Sequence, residues 1–342
     1  MRIYKTIVDD LPMSYAVGWL NRGGKLYGIA ASEGRDRCIV FDPDQRSEPE
    51  TVWTDAGGTM SISQIKGDGT FLAVQNFFKG FQAASACIVC AKPLVTGGWQ
   101  VEKYLDLPYV HRFDVVEVEG KQFLLACTLC DGKEYKQDWS RPGRVWLGEM
   151  KEDGCELKTL IPGITKNHGF YRGRRNGRNV VLVSGMEGLF EIQIPERSDG
   201  EWRWERLMEK EISDAAVVDL DQDGEDEIVT IEGFHGTRVV VNKLSGGQWR
   251  EVYSCPVKFG HVVWGGNMLG RNSLLIGYRE ENAPLILMRK KEGPDFRMEH
   301  IFIDELEGPT NISVLNEENR GRILCSCGRT QRVVIYDLTE ES

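Results

Sequence analysis

The sequence predicts an all-β fold, a seven-bladed β-propeller of four-stranded blades forming one domain over residues 1–342. Three observations predict it. Turn signals recur at Arg22-Gly23-Gly24, Gly67-Asp68-Gly69, Glu119-Gly120, Asn176-Gly177 and Asp223-Gly224, and a repeat of about fifty residues is the mark of a radial array. The runs between the turns are β-rich or alternate, with no sustained helical period. The seventh unit stops after its third strand near Leu338, while Ile3–Val8 has the pattern of the missing fourth. A ring closed by the N-terminal strand accounts for both and leaves no long open sheet edge.

Within each unit the elements follow one order. The second strands read Leu26–Ala30, Phe71–Val74, Phe123–Cys127, Val180–Val183, Ile228–Ile231, Leu274–Gly277 and Ile323–Cys327. They are continuous apolar runs, as expected of strands buried on both faces. The third strands read Arg37–Phe41, Ala86–Ala91, Arg144–Gly148, Leu189–Ile194, Thr237–Asn242, Leu285–Met288 and Arg332–Tyr336. Amphipathic fourth strands follow at Glu50–Trp53, Trp99–Leu105, Cys155–Ile161, Trp202–Glu211, Trp249–Cys255 and Arg297–Ile303.

Composition narrows the function. A net charge of −10 argues against a nucleic-acid partner. The N-terminus lacks the apolar core of a signal peptide, and no apolar run approaches the roughly 20 residues of a membrane span. The reading is a soluble cytoplasmic protein with no membrane partner. Nine cysteines fit that compartment. Cys87/Cys90 and Cys127/Cys130 have CxxC spacing but lie in strand-like runs, where residues three apart face opposite sides. They read as reduced core thiols rather than zinc ligands.

The first strand of each unit starts beside the axis. Its leading positions read Ser14, Ser61, His111, His168, Asp214, His261 and Asn311. Three histidines at one phase predict a divalent transition metal, zinc or manganese, held by His111, His168 and His261 with Asp214 as a further ligand. Asn311 is an alternative to Asp214 in that role. In the fifth unit Ser213 competes with Asp214 for the inner place, since a slip of one residue reverses a strand's faces.

One turn carries extra acids. Asp219-Leu220-Asp221-Gln222-Asp223-Gly224 runs on to Glu227, and Asp219, Asp221, Asp223 and Glu227 form an oxygen cluster suited to structural calcium or a solvated acidic hairpin. This turn, followed by an Ile/Val strand, resembles the FG-GAP/VCBS propeller repeat. Asn167-His168-Gly169-Phe170, running into Tyr171-Arg172-Gly173-Arg174, and Gly260-His261 resemble the propeller domain of aldos-2-ulose dehydratase-like proteins. The histidines at the mouth more distantly resemble those of oligogalacturonate lyase. The aldos-2-ulose dehydratase resemblance implies a ketosugar substrate, the oligogalacturonate lyase resemblance a uronide.

The loops between second and third strands open on the same face as the histidines. They supply Phe77 and Lys79, then Tyr135, Lys136 and Trp139 from the longest loop, then His235, Tyr278, Arg279 and, in the seventh unit, Arg332. Aromatic rings beside cations suit a small saccharide bearing hydroxyls or an acid group. The expected activity is a metal-dependent carbon–oxygen lyase, working by β-elimination or the reverse hydration on a keto-sugar, 3-keto-glycoside or uronide. His235, Tyr135 and Lys136 are the candidate acid and base. Lys79, Phe77, Trp139, Tyr278, Arg279 and Arg332 are the candidate substrate contacts. The alternatives are a non-catalytic scaffold that binds a glycan or protein, and hydrolysis through Glu33, Glu187 or Glu232.

Overall fold

Each blade begins at the axis and steps outward through antiparallel neighbours. The computed structural model describes residues 1–44, 47–78, 83–152, 154–280, 282–317 and 319–340. Its strands form seven sheets in a ring. The inner strands are Ser14–Arg22, Ile62–Gln64, Val110–Val118, Gly169–Arg175, Ile212–Val218, Gly260–Met268 and Asn311–Glu317. Among the described residues no helix is long and apolar enough to cross a membrane.

The ring closes as the sequence predicts. Arg2–Asp10 pairs antiparallel with Arg332–Thr339 as the outer strand of the seventh blade. Ile3 packs on a core shared by blades six and seven, with Met268, Tyr336 and Leu338. Val8 packs on the seam between blades seven and one, with Leu11, Phe41 and Ile335. The chain thus locks its two ends with one strand. In the third blade the outer strand is Lys158–Ile164, and Gly154–Cys155 pairs separately with Met150 and Lys151.

The core lies between blades. Second and third strands such as Phe71–Gln75 and Leu285–Lys290 are buried along almost their whole length, because each sheet is covered on both faces by its neighbours. All nine cysteines are unbonded thiols, buried or half-buried, and burial raises their pKa values, most of all at Cys38 and Cys325.

The acidic turn has a cation of its own. Asp219 and Asp223 accept backbone N–H groups of the turn. The Lys243 ammonium lies 2.6 Å from Asp221, 2.6 Å from Asp223 and 3.3 Å from the buried Glu227. Three of the four acids expected around calcium therefore share a lysine, which no spacing within the turn announces because it comes from the blade's third strand, Arg238–Ser245.

Candidate metal centre at the hub

The inner strands carry their axial residue in a bulge. Pairing skips Tyr15 between Ser14 and Ala16 in blade one. It skips His111 in blade three, Ser213 in blade five and His261 in blade six. A bulged residue leaves the ladder and is re-aimed. The bulge therefore decides which side chain reaches the axis. In blade one it is Tyr15 rather than Ser14, and in blade five Ser213 rather than Asp214. Tyr15, His111, His168 and His261 each stand seven residues before the end of their strand, so the signal lay in counting back from the hairpin.

His168 precedes its strand, where Gly169 lets blade four approach blade five. A side-chain carbon at Gly169 would lie 2.1 Å from Ser184 Oγ and 2.8 Å from Ser213 O. The close approach lets His168 Nδ1 donate to Ser213 O at 3.1 Å. A carbonyl only accepts, so Nδ1 carries the proton and Nε2 keeps a bare lone pair. That Nε2 is fully buried and has no hydrogen-bond partner, an arrangement that calls for one.

His235 arrives from the loop after the second strand of blade five. Its backbone is left-handed, at φ 50°, and the turn closes tightly on Gly236, where any side chain would collide with Glu232 O. Such strain gathers at functional positions. Ser213 Oγ accepts the His235 N–H at 3.2 Å, so one serine steadies two histidines. Phe259 stacks on the His235 ring at 4.5 Å and Phe234 at 4.1 Å.

Ligand-capable atoms of His168, His235 and His261 all lie within 4.8 Å of one another. Neutral imidazoles converging with an orphaned, buried nitrogen fit a borderline divalent ion such as zinc or manganese. Two of the four expected ligands, His111 and Asp214, fall outside this cluster, and one residue expected in another role joins it. His235, expected as acid or base, joins the cluster. His111 sits beside it, its ring 4.7 Å from His168, with Nε2 3.5 Å from the Tyr15 hydroxyl. Asp214 lies a layer away, accepting its neighbour Ala215 N–H at 2.9 Å. The Tyr15 hydroxyl is also 3.4 Å from His261 Nε2. Tyr15 is 1% exposed, and sequence reasoning missed it.

Cations flank the cluster. Arg112 and Arg279 lie 5.5 and 5.1 Å from the Tyr15 ring centre. Arg112 donates to Met60 O at 3.2 Å and Asn311 Oδ1 at 3.1 Å. Arg279 pairs with Glu33 across the mouth. Burial, then Arg112, holds His111 well below the usual imidazole range. Burial and the His111 ring do the same for His168, and burial and Arg279 for His261. Burial, then Arg279 and Arg112, pushes His235 down to about 3.

These rings stay neutral in the fold while the unfolded chain takes up protons below about pH 6.5. Their stabilising contribution is full above that pH and falls as pH drops toward the folded values. Asp214 runs the other way. Burial pushes its carboxyl up to about 7, against about 3.9 unfolded, so its contribution is full below about pH 4 and lost as pH rises through 7. Metal-free protein is expected to melt lower at pH 5 than at pH 7. Asp214→Asn is expected to raise the melting temperature at pH 8 and change little at pH 4. Equal gains at both pH values would contradict the assignment for Asp214.

The remaining predicted contacts divide. Phe77 is buried edge-on to His111 at 5.2 Å. Trp139 reaches over the hub, 6.0 Å from Phe234 and 3.3 Å from the Lys133 ammonium. Tyr135 is 64% exposed and lines, with Lys136 and Glu33, an outer cleft of about 800 Å³. Tyr278 turns away toward Pro256. Arg332 binds Glu307 at 3.2 Å near the closure strand. Lys79 lies outside the described residues. Of the carboxylates considered for hydrolysis, Glu33 is held by Arg279, Glu232 by Lys210 and Glu187 by the Thr165 N–H.

Beyond the histidines, on the axis, is a cavity of about 400 Å³. Arg112, Tyr171, Arg172, Asp214, His261, Trp264 and Asn311 line it, all from inner strands of blades three to seven.

No family model matches the chain, and no curated protein matches it. Solved structures match along nearly its whole length. The Cps50 (Swd1) β-propeller domain of Myceliophteria thermophila is 11% identical, with a TM-score of 0.60 over 98% of this chain and 100% of that one. A streptogramin B lyase structure is 13% identical, with a TM-score of 0.58 over 98% and 97%. BBS1N, solved in complex with ARL6DN, is 12% identical, with a TM-score of 0.59 over 99% and 96%. What they share is the fold. Function must be argued from the hub.

Proposed function

We propose that the hub holds one divalent transition metal through His168, His235 and His261, and that the protein is a metal-dependent carbon–oxygen lyase acting on a keto-sugar, 3-keto-glycoside or uronide. The observation that carries this reading is the convergence of ligand-capable nitrogens of His168, His235 and His261 within 4.8 Å of one another, beside the bare, buried Nε2 of His168. Ser213 is the outer partner: its carbonyl accepts from His168 Nδ1 and so fixes that ring, while its hydroxyl holds the backbone N–H of His235. The resemblance of the His168 and His261 segments to aldos-2-ulose dehydratase-like propellers supports the ketosugar, and a lyase among proteins of this fold makes the chemistry compatible with it.

A bound ion would polarise a carbonyl or carboxylate oxygen and ease loss of the adjacent C–H proton. The chain's own groups supply the rest. Neutral His111, 3.5 Å from the Tyr15 hydroxyl, receives the proton through that phenol. Arg112 and Arg279 hold the negative charge that develops. The C–O electrons leave with the oxygen, and Asp214, its carboxyl near 7, returns a proton there. Trp139 and Phe234 cover the loop side against water.

Metal content and a product assay test this together. Purified protein dialysed against zinc or manganese is expected to retain one equivalent, and His168→Ala to lower its affinity at least about 100-fold. Ketosugar or uronide substrates should yield the ultraviolet absorbance of an unsaturated product. A correctly folded wild type that retains no metal would sink the lyase and leave a scaffold.

A further inference from the structure

We propose that the axial cavity seats the carboxylate of a monosaccharide-sized sugar acid, with Arg112 as its anchor. This rests on the reading of the hub as a lyase site and narrows its substrate from sugars in general to sugar acids.

Position comes first. Every lining residue belongs to an inner strand, and His261 is shared between the cavity and the histidine cluster. A ligand there touches the hub at one end. The volume of about 400 Å³ is within the range of small-molecule sites.

Charge comes second. A guanidinium carries five N–H donors. Arg112 spends two hydrogen bonds, both on neutral oxygens, Met60 O and Asn311 Oδ1. Among the described residues no carboxylate forms an ion pair with it. Neighbouring arginines are satisfied: Arg172 pairs with Asp114 at 3.1 Å and Arg279 with Glu33. Asp214 lines the same cavity and its carboxyl feels the Arg112 charge, but the two form no ion pair. An arginine that faces a cavity with no carboxylate in ion-pair contact is suited to receive one from a ligand, through paired N–H donors. Asn311 aims it, because its amide nitrogen is tied to Tyr15 O at 2.9 Å while its oxygen accepts from Arg112.

The walls supply the rest of the class. Trp264 and Tyr171 offer ring surfaces to C–H faces, and Asp214 offers its carboxyl group to hydroxyls. A purely apolar acid would leave Asp214 without a partner in the ligand. A neutral sugar would leave Arg112 without one.

Calorimetric titration of metal-stripped protein tests this. The probes are D-glucuronate, D-galacturonate and D-gluconate, beside D-glucose and D-galactose. At least one acid is expected to bind at least about tenfold tighter than both neutral sugars, since a charge-assisted pair is at stake. Arg112→Met should lose that margin while melting cooperatively. Asn311→Ala, which keeps the guanidinium but frees its aim, should weaken acid binding about fivefold and stands in if Arg112→Met does not fold. Equal binding of acids and neutral sugars, no binding by any acid, or unchanged acid affinity in the folded variants would overturn the proposal. Acid binding without stoichiometric metal would keep this proposal and sink the lyase; metal without acid binding would do the reverse.

Discussion

A chain lacking Arg2–Asp10 is expected to lose its cooperative melting transition and elute as aggregate. Those residues pair along the whole of Arg332–Thr339, so their loss bares the backbone of a core strand and creates an open edge. Ile3 and Val8, both half-buried, are withdrawn from two separate cores, each contributing only part of the about 1.5–3 kcal/mol of a fully buried side chain. Lys5 leaves Asp304 and the buried Glu307, each 2.7 Å away. Lys5 is partly exposed and Glu307 keeps Thr330 and Arg332, so this loss lies below the about 3–5 kcal/mol of breaking a buried pair. Together with the bared edge these losses take a large share of the stability of a typical domain, about 5–15 kcal/mol. Calorimetry and size-exclusion chromatography would check it, and a peptide spanning residues 1–11 should restore part of the transition. A truncated chain that melts within a few degrees of the full one would show that the ring does not depend on this closure.

The second large effect lies in the acidic turn. Lys243→Met is expected to cost about 3–5 kcal/mol, because Asp221, Asp223 and the fully buried Glu227 lose their common cation. Oxygens of Asp219, Asp221 and Glu227 already lie within 4.8 Å of one another. The variant is therefore expected to regain much of its melting temperature in millimolar calcium, with no such response in the wild type. Thermal melts of both proteins, with calcium and with a chelator, separate the outcomes. A variant as stable as wild type without calcium would show that the ammonium contributes nothing there.

The blades were legible because their signal is redundant. Apolar second strands, Gly-bearing hairpins and an unmatched N-terminal strand all point to one ring. The hub was legible only in part. His111, His168 and His261 share a phase that can be read directly, but the residues that complete the site depend on bulges, and a bulge leaves no mark in residue type. Reading blade one from its first polar residue gives Ser14, while the pairing puts Tyr15 inside. The same one-residue displacement exchanges Asp214 for Ser213. His235 was visible as a loop histidine, yet its place in the histidine cluster follows from a left-handed turn. Arg112 was hidden beside a histidine that drew attention to itself. Lys243 was hidden because its partners Asp221, Asp223 and Glu227 stand well before it along the chain, in the acidic turn and at the start of strand Glu227–Glu232.

The bulges at Tyr15, His111, Ser213 and His261 have a wider consequence. A residue that stands outside the ladder owes nothing to the alternation of the strand that carries it. The sheets around the hub can therefore stay fixed while the inserts change identity one at a time, as Tyr, Ser and His already do in equivalent places. A propeller of this kind is an interchangeable socket, whose axial letters can change a few at a time while the wall that frames them stays as it is.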